Sequence, residues 1–248
     1  HVALFGPVVK RSIQIRKAEK AADLVREAYH EAISGVPGPV HIDIPRDIML
    51  ESVDVPSLEN HHPENLPRSG PDPDGLAAAA KILKSAKRPL ILAGGGVLWA
   101  EATADLLALA ESLGAAIMVS TGRDDVAPTS HPLYLASIGR GTIPEAAAIF
   151  KEADVVLAVG TRLAHSTTFL RDTFFGENTR LIHAAHEQRN VGRHYPAEVG
   201  MVGDSGIVLR GIRALLGNTS PNAAWRSRID QVKAAQEIHR ETALIYGG

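Results

Sequence analysis

Short apolar runs alternate with amphipathic stretches from residue 76 to residue 216, and this alternation limits the possible folds more than any other feature. The apolar runs have the length of strands, and the stretches between them have the apolar spacing of helices. The predicted strands are 89–93, 115–119, 155–159, 180–184 and 198–202, and the predicted helices are 76–85, 100–113, 144–152 and 205–216. This order predicts an α/β fold with a doubly wound parallel sheet and right-handed crossovers.

A shorter strand, helix and strand precede this repeat. The predicted elements are a strand within 8–15, a helix over 18–33 that Gly35 ends, and a strand at 40–44 that ends at Pro45. Asp43 alternates with apolar residues near the end of that strand, and we interpret it as a structural side chain rather than a catalytic acid. Residues 51–73 hold five prolines and two adjacent histidines, which predicts an extended linker.

The composition excludes several classes of protein. Of the 248 residues, 45% are hydrophobic but only 4% are aromatic, which suits helices packed on a parallel sheet. A net charge of −2 without a basic block argues against a nucleic-acid partner. The absence of cysteine excludes disulfides, thiolate metal sites and a cysteine nucleophile. No apolar run approaches the roughly 18 residues of a membrane span, so we expect no membrane partner and a cytoplasmic location.

Three glycines, Gly94, Gly95 and Gly96, lie between a predicted strand and the next helix. At this position in a doubly wound sheet, backbone N–H groups and a helix N-terminus can receive a phosphate group. The third glycine of the dinucleotide-binding motif is nevertheless absent from residues 97–100. A tight turn without a ligand and a phosphate-binding turn therefore both stay open.

A second strand ends in Gly160, Thr161 and Arg162. Ligands bind at the carboxyl ends of strands in open α/β sheets, and an arginine there can bind a phosphate or carboxylate group. An ion pair between Arg162 and a nearby acid at the sheet edge explains the residue equally well.

The segment 120–142 is predicted to lack regular structure over about twenty residues, a length that usually marks function or an interface. Its charged and titratable side chains are Arg123, Asp124, Asp125, His131 and Arg140. Adjacent acids such as Asp124 and Asp125 can act in acid–base catalysis or bind a metal, but they are more often solvated.

No set of residues in the sequence predicts a metal site or a catalytic group. His61 and His62 lie in the linker without a third ligand, and His183 and His186 lack a carboxylate at ligand spacing. The motifs of serine hydrolases, zinc proteases and P-loop enzymes are absent. The residues alone therefore predict a ligand-binding α/β domain, with no catalytic residue and no metal ligand.

Five stretches occur in the order "GVPGPVHIDIPRDI", "KRPLILAGGGV", "HPLYLASIGRGT", "ADVVLAVGTRL" and "IHAAHEQRNVGRHYPAEVGMVGD". In this order they resemble the thiamine-diphosphate-dependent decarboxylase and carboligase family, and most nearly the large catalytic subunit of acetolactate synthase. The resemblance implies that residues 1–52 are the end of a pyrimidine-binding domain and 53–71 a linker. Residues 72–217 would be a complete, Rossmann-like central domain, and 218–248 a connector helix toward a diphosphate-binding domain.

The same resemblance implies a function for the intact protein. Such enzymes use thiamine diphosphate and Mg²⁺ to decarboxylate a 2-oxo acid and then ligate or release the product, as lyases or transferases. The family's cofactor-activating glutamate and its magnesium motif lie outside these residues, and the first residue is His1 rather than Met. We therefore expect a processed chain or a piece of a longer one, inactive by itself, and a homodimer or homotetramer for the intact enzyme.

The resemblance also implies a ligand in the central domain, which in similar enzymes is FAD, ADP or nothing. Gly94–Gly96 would approach a pyrophosphate group, and Gly160–Arg162 would contact the dinucleotide. The sequence differs from typical members of the family at two places. Ala184–His186 replace the usual I-D-I-D acid, which weakens the case for FAD. After Arg162, Leu163–Ser166 replace the F-D-D-R of the synthases, in which the arginine that ends the pattern meets the substrate carboxylate.

These departures, together with Arg123–Asp125 in place of a glycine-rich turn, favour a less common substrate. The competing hypothesis is a free-standing nucleotide-binding or interaction module that keeps the central fold without catalysis.

Overall fold

A computed structural model describes residues 1–54, 67–139 and 141–246, with the side chains of the last helix described as far as residue 239. The chain divides into two compact units, His1–Pro67 and Arg68–Gly248. Among the described helices, none is both long enough and apolar enough to cross a membrane.

The first unit contains a two-stranded parallel sheet. Its elements are α1 (Val2–Phe5), β1 (Arg11–Gln14), α2 (Ala21–Ile33), β2 (Val40–Asp43) and α3 (Arg46–Met49). Gly35 follows α2 with a φ of 60°, a backbone conformation that glycine adopts without strain and that ends the helix as predicted. Asp43 accepts a hydrogen bond from Gln14 Nε2 at 3.0 Å across the two strands. This contact is consistent with the structural interpretation of Asp43.

The second unit contains a six-stranded parallel sheet with the strand order β5-β4-β3-β6-β7-β8. Its strands are β3 (Pro89–Ala93), β4 (Ala116–Ser120), β5 (Tyr134–Ile138), β6 (Val155–Val159), β7 (Arg180–Ala185) and β8 (Val199–Val202). Its helices are α4 (Pro73–Ser85), α5 (Gly95–Trp99), α6 (Thr103–Leu113), α7 (Pro144–Glu152), α8 (His165–Thr168), α9 (Ser205–Leu216) and α10 (Ala223–Tyr246). Every position of β3, β4 and β6 is buried, so both faces of the sheet are covered. The predicted α/β fold is confirmed.

Local signals explain where several helices begin. Asp72 precedes α4, and its carboxylate accepts a hydrogen bond from the Asp74 N–H at 2.9 Å. Pro73 and Pro144 occupy the first turns of α4 and α7, where a missing N–H costs nothing. These residues are readable in the sequence, and α7 starts at the predicted residue.

Two local predictions are wrong. The segment 120–142, predicted to lack regular structure, contains the edge strand β5, which is short and lies between Pro132 and Gly139. The helix predicted over 100–113 begins only at Thr103, because Glu101 has a φ of 54° and separates α6 from the preceding α5. An edge strand and a left-handed residue outside glycine both lack a strong sequence signal.

The long last helix packs onto the second unit along α7 and β5. Trp225 is buried, and its Nε1 donates to the Pro89 carbonyl at 3.0 Å. Arg228 forms an ion pair with Glu152 at 2.8 Å, and the Gln236 side chain donates to the Leu135 carbonyl on the free edge of β5. The start of α10 therefore belongs to the core of this unit. A role as a connector toward another domain stays a prediction.

Candidate functional site

The structure brings the two predicted groups of site residues together. Gly94–Gly96 follow β3 and Gly160–Arg162 follow β6, and these strands are hydrogen-bonded neighbours. On one side of β3 the sheet continues through β4 and β5, and on the other side through β6, β7 and β8. The strand order therefore reverses between β3 and β6, at the position where open α/β sheets bind ligands.

The glycines allow the two turns to pack against each other. The Gly94 N–H donates to the Val159 carbonyl and the Gly96 N–H donates to the Gly160 carbonyl, each at 2.9 Å. A Cβ atom on Gly94 would lie 2.5 Å from the Gly160 oxygen, and a Cβ atom on Gly160 would lie 2.8 Å from the Val97 nitrogen. Close packing thus explains Gly94, Gly96 and Gly160 without a ligand, and their cofactor role stays a prediction.

Gly95 faces a different neighbour. A Cβ atom on Gly95 would approach the side chain of Arg123, with Nε at 3.0 Å and Cζ at 3.4 Å. The guanidinium group of Arg123 therefore covers the face of the turn that does not contact β6. Sequence reasoning placed Arg123 in a polar segment but did not choose it as a site residue. Its position just after a buried strand is the signal that could have selected it.

Two buried hydroxyl groups join the segments after β4 and β6. Ser120 Oγ and Thr161 Oγ1 are 2.8 Å apart, and both side chains are buried. Thr161 Oγ1 also accepts a hydrogen bond from the Leu163 N–H at 3.3 Å. The hydroxyl of Thr161 is thus used inside the protein, whereas the next residue, Arg162, is exposed.

The N-terminus of α9 also reaches this edge of the sheet. Asp204 precedes the helix, and its Oδ1 accepts hydrogen bonds from the Gly206 N–H at 2.9 Å and the Ile207 N–H at 3.1 Å. Arg68 Nη1 lies 3.9 Å from the other carboxylate oxygen of Asp204. The helix end is therefore capped by a side chain of the protein itself. An aspartate before an amphipathic helix is a recognisable cap signal, although sequence reasoning missed it.

His183 contacts the backbone of the turn after β6. Its side chain is 1% exposed, its Nε2 donates to the Thr161 carbonyl at 2.9 Å, and its Nδ1 accepts from the Gly192 N–H at 3.2 Å. Burial lowers the pKa of His183 below its ordinary value. Both ring nitrogens of the neutral imidazole are thus occupied, so this histidine has no nitrogen free for a metal ion.

The polar residues of the segment 120–142 do not form one site. Asp124 and Asp125 are exposed in the segment between β4 and β5, whereas His131 precedes β5 and pairs with Glu111 at 3.1 Å. Asp124 Oδ1 accepts a hydrogen bond from the Tyr134 hydroxyl at 3.3 Å. Burial and this carboxylate raise the pKa of Tyr134 to about 12. Arg140 lies outside the described residues.

The segment after Arg162 has an unusual backbone. Leu163, Phe169 and Leu170 have positive φ values of 50°, 51° and 50°, which non-glycine residues rarely adopt. Thr121 Oγ1 donates to the Ser166 carbonyl at 2.8 Å and ties α8 to the segment after β4. The four residues that replace the F-D-D-R pattern thus lie in a locally strained segment at the same edge of the sheet.

In the parts of the chain that the structure describes, no group of three or more His, Asp or Glu side chains is arranged to hold a metal ion. His61 and His62 lie outside those parts. At the carboxyl edge, the side chains of Arg123 and Arg162 and the backbone of the two turns could contact an anion. Among the described residues of this edge, no nucleophilic side chain contacts a general base.

Comparisons with known proteins identify the second unit. The family model of the thiamine pyrophosphate enzyme central domain matches residues 76–212. The chain is 32% identical over 239 residues to a probable acetolactate synthase large subunit of Methanocaldococcus jannaschii, covering 94% of this chain and 40% of the relative. It is 33% identical over 244 residues to a sulfoacetaldehyde acetyltransferase of Rhodobacter capsulatus, covering 96% and 41%.

A solved structure shows the same fold. The crystal structure of benzoylformate decarboxylase from Polynucleobacter necessarius matches with a TM-score of 0.73 and 21% identity, covering 90% of this chain and 41% of that one. The chain thus spans about two fifths of the length of the curated relatives it matches.

Proposed function

The chain belongs to the thiamine-pyrophosphate-dependent enzymes, and we propose that it supplies the central part of an enzyme that decarboxylates a 2-oxo acid and ligates or releases the product. One observation carries this proposal. The family's central domain matches residues 76–212, the same stretch that forms the sheet from β3 to β8 with its flanking helices. The overall reaction class would then be that of an acetolactate-synthase-like lyase or transferase.

The first unit supports a place in a larger enzyme. A parallel sheet of two four-residue strands without a buried position is at best marginally stable by itself. We propose that residues 1–52 are the end of a pyrimidine-binding domain, that 53–71 link it to the central domain at 72–217, and that 218–248 lead toward a diphosphate-binding domain. A homodimer or homotetramer in the cytoplasm is part of the same proposal.

Thiamine diphosphate would supply the electron-withdrawing centre that allows carbon dioxide to leave the 2-oxo acid. Among the described residues, no group of three or more His, Asp or Glu side chains is arranged to hold a metal ion, and the magnesium motif of the family does not occur in the sequence. The proposal therefore assigns that cofactor and its Mg²⁺ to protein outside these residues and expects no catalysis from the 248-residue chain alone.

We propose that the carboxyl edge of the sheet binds a nucleotide through Gly94–Gly96 and Gly160–Arg162. The exposed Arg162 and the Arg123 side chain over Gly95 support binding of a phosphate-bearing ligand such as FAD or ADP. Ala184 and Ala185, at the end of β7, offer no carboxylate for a ribose, so the proposed contacts to a nucleotide fall on its phosphate groups.

The decisive experiment assays the natural protein that contains this sequence with pyruvate, benzoylformate and sulfoacetaldehyde. We expect carbon dioxide release from at least one 2-oxo acid, and only when thiamine diphosphate and Mg²⁺ are both present. The isolated 248-residue chain, assayed in parallel, should release none. Turnover of sulfoacetaldehyde alone would contradict the 2-oxo acid substrate. A natural protein no longer than this chain and without any turnover would favour the nucleotide-binding module.

A further inference from the structure

The edge strand β5 contains a β-bulge at Leu135. Ile117 of β4 pairs with Tyr134, whereas the next residue, Met118, pairs with Ala136, so the register between the two strands shifts. The extra residue of a bulge stays outside the regular ladder of hydrogen bonds. Leu135 is only 2% exposed, so its carbonyl oxygen needs a donor from the protein itself.

The later turns of α10 supply donors to this edge of the sheet. The Gln236 side-chain amide donates to the Leu135 carbonyl. Lys233 Nζ donates to the carbonyl of His131, three residues before β5, at 2.7 Å. Gln236 and Lys233 lie about one turn apart on the same face of the helix. Two side chains of α10 thus bind backbone acceptors along the edge at which the six-stranded sheet ends.

The helix is held differently along its length. Trp225 and Val232 are 2% and 1% exposed and fix its first half in the core of the second unit. From residue 233 to residue 239 every residue is half-buried or exposed, so little apolar area holds these turns. Their polar contacts also include the ion pair of His239 with Glu145 on α7 at 3.4 Å. The later turns can therefore lift from β5 while the first half of the helix keeps its place.

We propose that residues 233–239 of α10 act as a strap that closes the β5 edge and keeps a second copy of this chain from pairing with it. The segment Tyr134–Ile138 contains aromatic and aliphatic residues that favour strands, and an open strand edge is a template for pairing with another chain. Two identical edges can pair about a twofold axis. With the strap lifted, the Leu135 carbonyl loses its donor, and a backbone N–H of the second copy can replace it. The inference does not depend on the proposed reaction.

Amide hydrogen exchange of the 248-residue chain tests the strap. Gln236→Glu keeps the length of the side chain but places a carboxylate oxygen at the Leu135 carbonyl instead of the amide N–H. We expect exchange in β5 to become about tenfold faster, the effect of leaving a buried acceptor without its donor, while exchange in β3 stays unchanged. Lys233→Met removes the second donor and should give a smaller increase, because the His131 carbonyl keeps the Tyr134 N–H as a donor at 3.0 Å.

Gln231→Glu is the matched control. Gln231 is exposed on another face of the same helix, so this variant makes the same change of residue and charge away from β5. We expect its exchange rates to match those of the unmodified chain. The fluorescence transition in urea should have the same midpoint in Gln231→Glu and Gln236→Glu, because both keep the buried first half of α10.

Cross-linking tests which surface the strap covers. The chain contains no cysteine, so Ser137→Cys places a single thiol in β5. Combined with Gln236→Glu, we expect light scattering to show a higher mass than in the chain with Gln236, and oxidation to give a disulfide-linked dimer. With Gln236 retained, the same thiol should give little dimer. Val202→Cys, on the opposite edge strand β8, is the control and should give little dimer in either background.

Several results contradict the strap. Unchanged exchange of β5 in both Gln236→Glu and Lys233→Met would show that these contacts do not close the edge. An equal acceleration in Gln231→Glu would assign the effect to charge. Loss of the fluorescence transition in Gln236→Glu would make residues 233–239 part of the core instead of a strap. Association without cross-linking through position 137, or no association at all, would exclude the β5 edge as the pairing surface.

Discussion

The two units contain the same kinds of element but bury them to different extents. In the second unit β3 is buried at every position and pairs with strands on both sides. In the first unit neither strand has a buried position, and each pairs with only one other strand among the described residues. Leu4, Val8 and Leu50 stay 73%, 70% and 75% exposed. A strand–helix–strand pattern thus specifies local structure, whereas burial depends on how many strands and covering layers join it.

The prediction with the largest expected effect replaces one buried isoleucine in each unit with alanine. Ile91 in β3 and Ile15 after β1 are both 0% exposed. We expect Ile91→Ala to lower the free energy of unfolding by about 4 kcal/mol, because the closely packed sheet cannot collapse around the cavity. Ile15→Ala should cost about 2 kcal/mol or less, since the half-exposed surroundings of the first unit can rearrange.

The two effects can be measured separately in the same chain. Both tryptophans, Trp99 and Trp225, lie in the second unit, so the fluorescence transition in urea reports that unit. Ile91→Ala should shift this transition and Ile15→Ala should leave it in place. Amide hydrogen exchange of β1 and β2 reports the first unit. Equal losses in the two variants would contradict the difference in burial as the cause.

Gly160→Ala tests whether the interlocked turns of the second unit depend on glycine. Gly160 has a φ of 63°, and an added Cβ would lie 2.8 Å from the Val97 nitrogen and 2.9 Å from Gly96 Cα. Backbone strain and the clash together should cost about 3 kcal/mol. Gly122 is a matched control with a φ of 73° and nothing within 4 Å of its Cβ position. Gly122→Ala should therefore cost only about 1 kcal/mol.

Urea denaturation of both variants measures these costs. If Gly160→Ala is no more destabilising than Gly122→Ala, the close approach of the two turns is not what requires glycine at position 160. Nucleotide titration of Gly122→Ala, which is expected to fold, adds a control for the candidate site.

The sequence predicted the elements whose signals are local. The strands β3 and β6 and the helices α7 and α9 have the predicted bounds, because continuous apolar runs, Pro144 and the polar break after Leu216 mark them. The edge strand β5 was missed, because a short strand that pairs on one side needs no long apolar run. Local patterns therefore specify elements better than they specify the edges of the sheet.

The candidate site was predictable only in part. Strand-end glycines indicated which turns lie at the carboxyl edge, and the structure places both turns side by side. No sequence pattern predicts that Arg123 covers Gly95, 28 positions earlier, or that Ser120 meets Thr161, 41 positions later. These approaches depend on the packing of segments that are far apart in the chain. The aspartate cap of α9, by contrast, is a local signal that the sequence offers and that sequence reasoning missed.

His183 gives the smallest and most specific test, because it is a buried titratable group at the end of the closely packed sheet. Its neutral ring donates from Nε2 to the Thr161 carbonyl and accepts at Nδ1 from the Gly192 N–H. A proton on Nδ1 would face the Gly192 N–H and remove that acceptor, and burial lowers the pKa of the folded-state imidazole. The unfolded chain therefore binds a proton at a higher pH than the folded chain does.

The sign of the pH dependence follows from this difference. Below the ordinary histidine pKa of 6.5, the unfolded state takes up the proton first, so stability falls as the pH is lowered from neutrality. We expect His183 to account for a loss of about 1 kcal/mol between pH 7 and pH 5.5, measured by urea denaturation followed by fluorescence. His183→Asn keeps a donor and an acceptor without a titrating group and should remove this part of the loss. His41→Asn, in the first unit, is the control and should leave the pH dependence of the fluorescence transition unchanged. If His183→Asn keeps the full pH dependence, another group causes it, and the buried imidazole does not link the turn after β6 to the acid stability of the second unit.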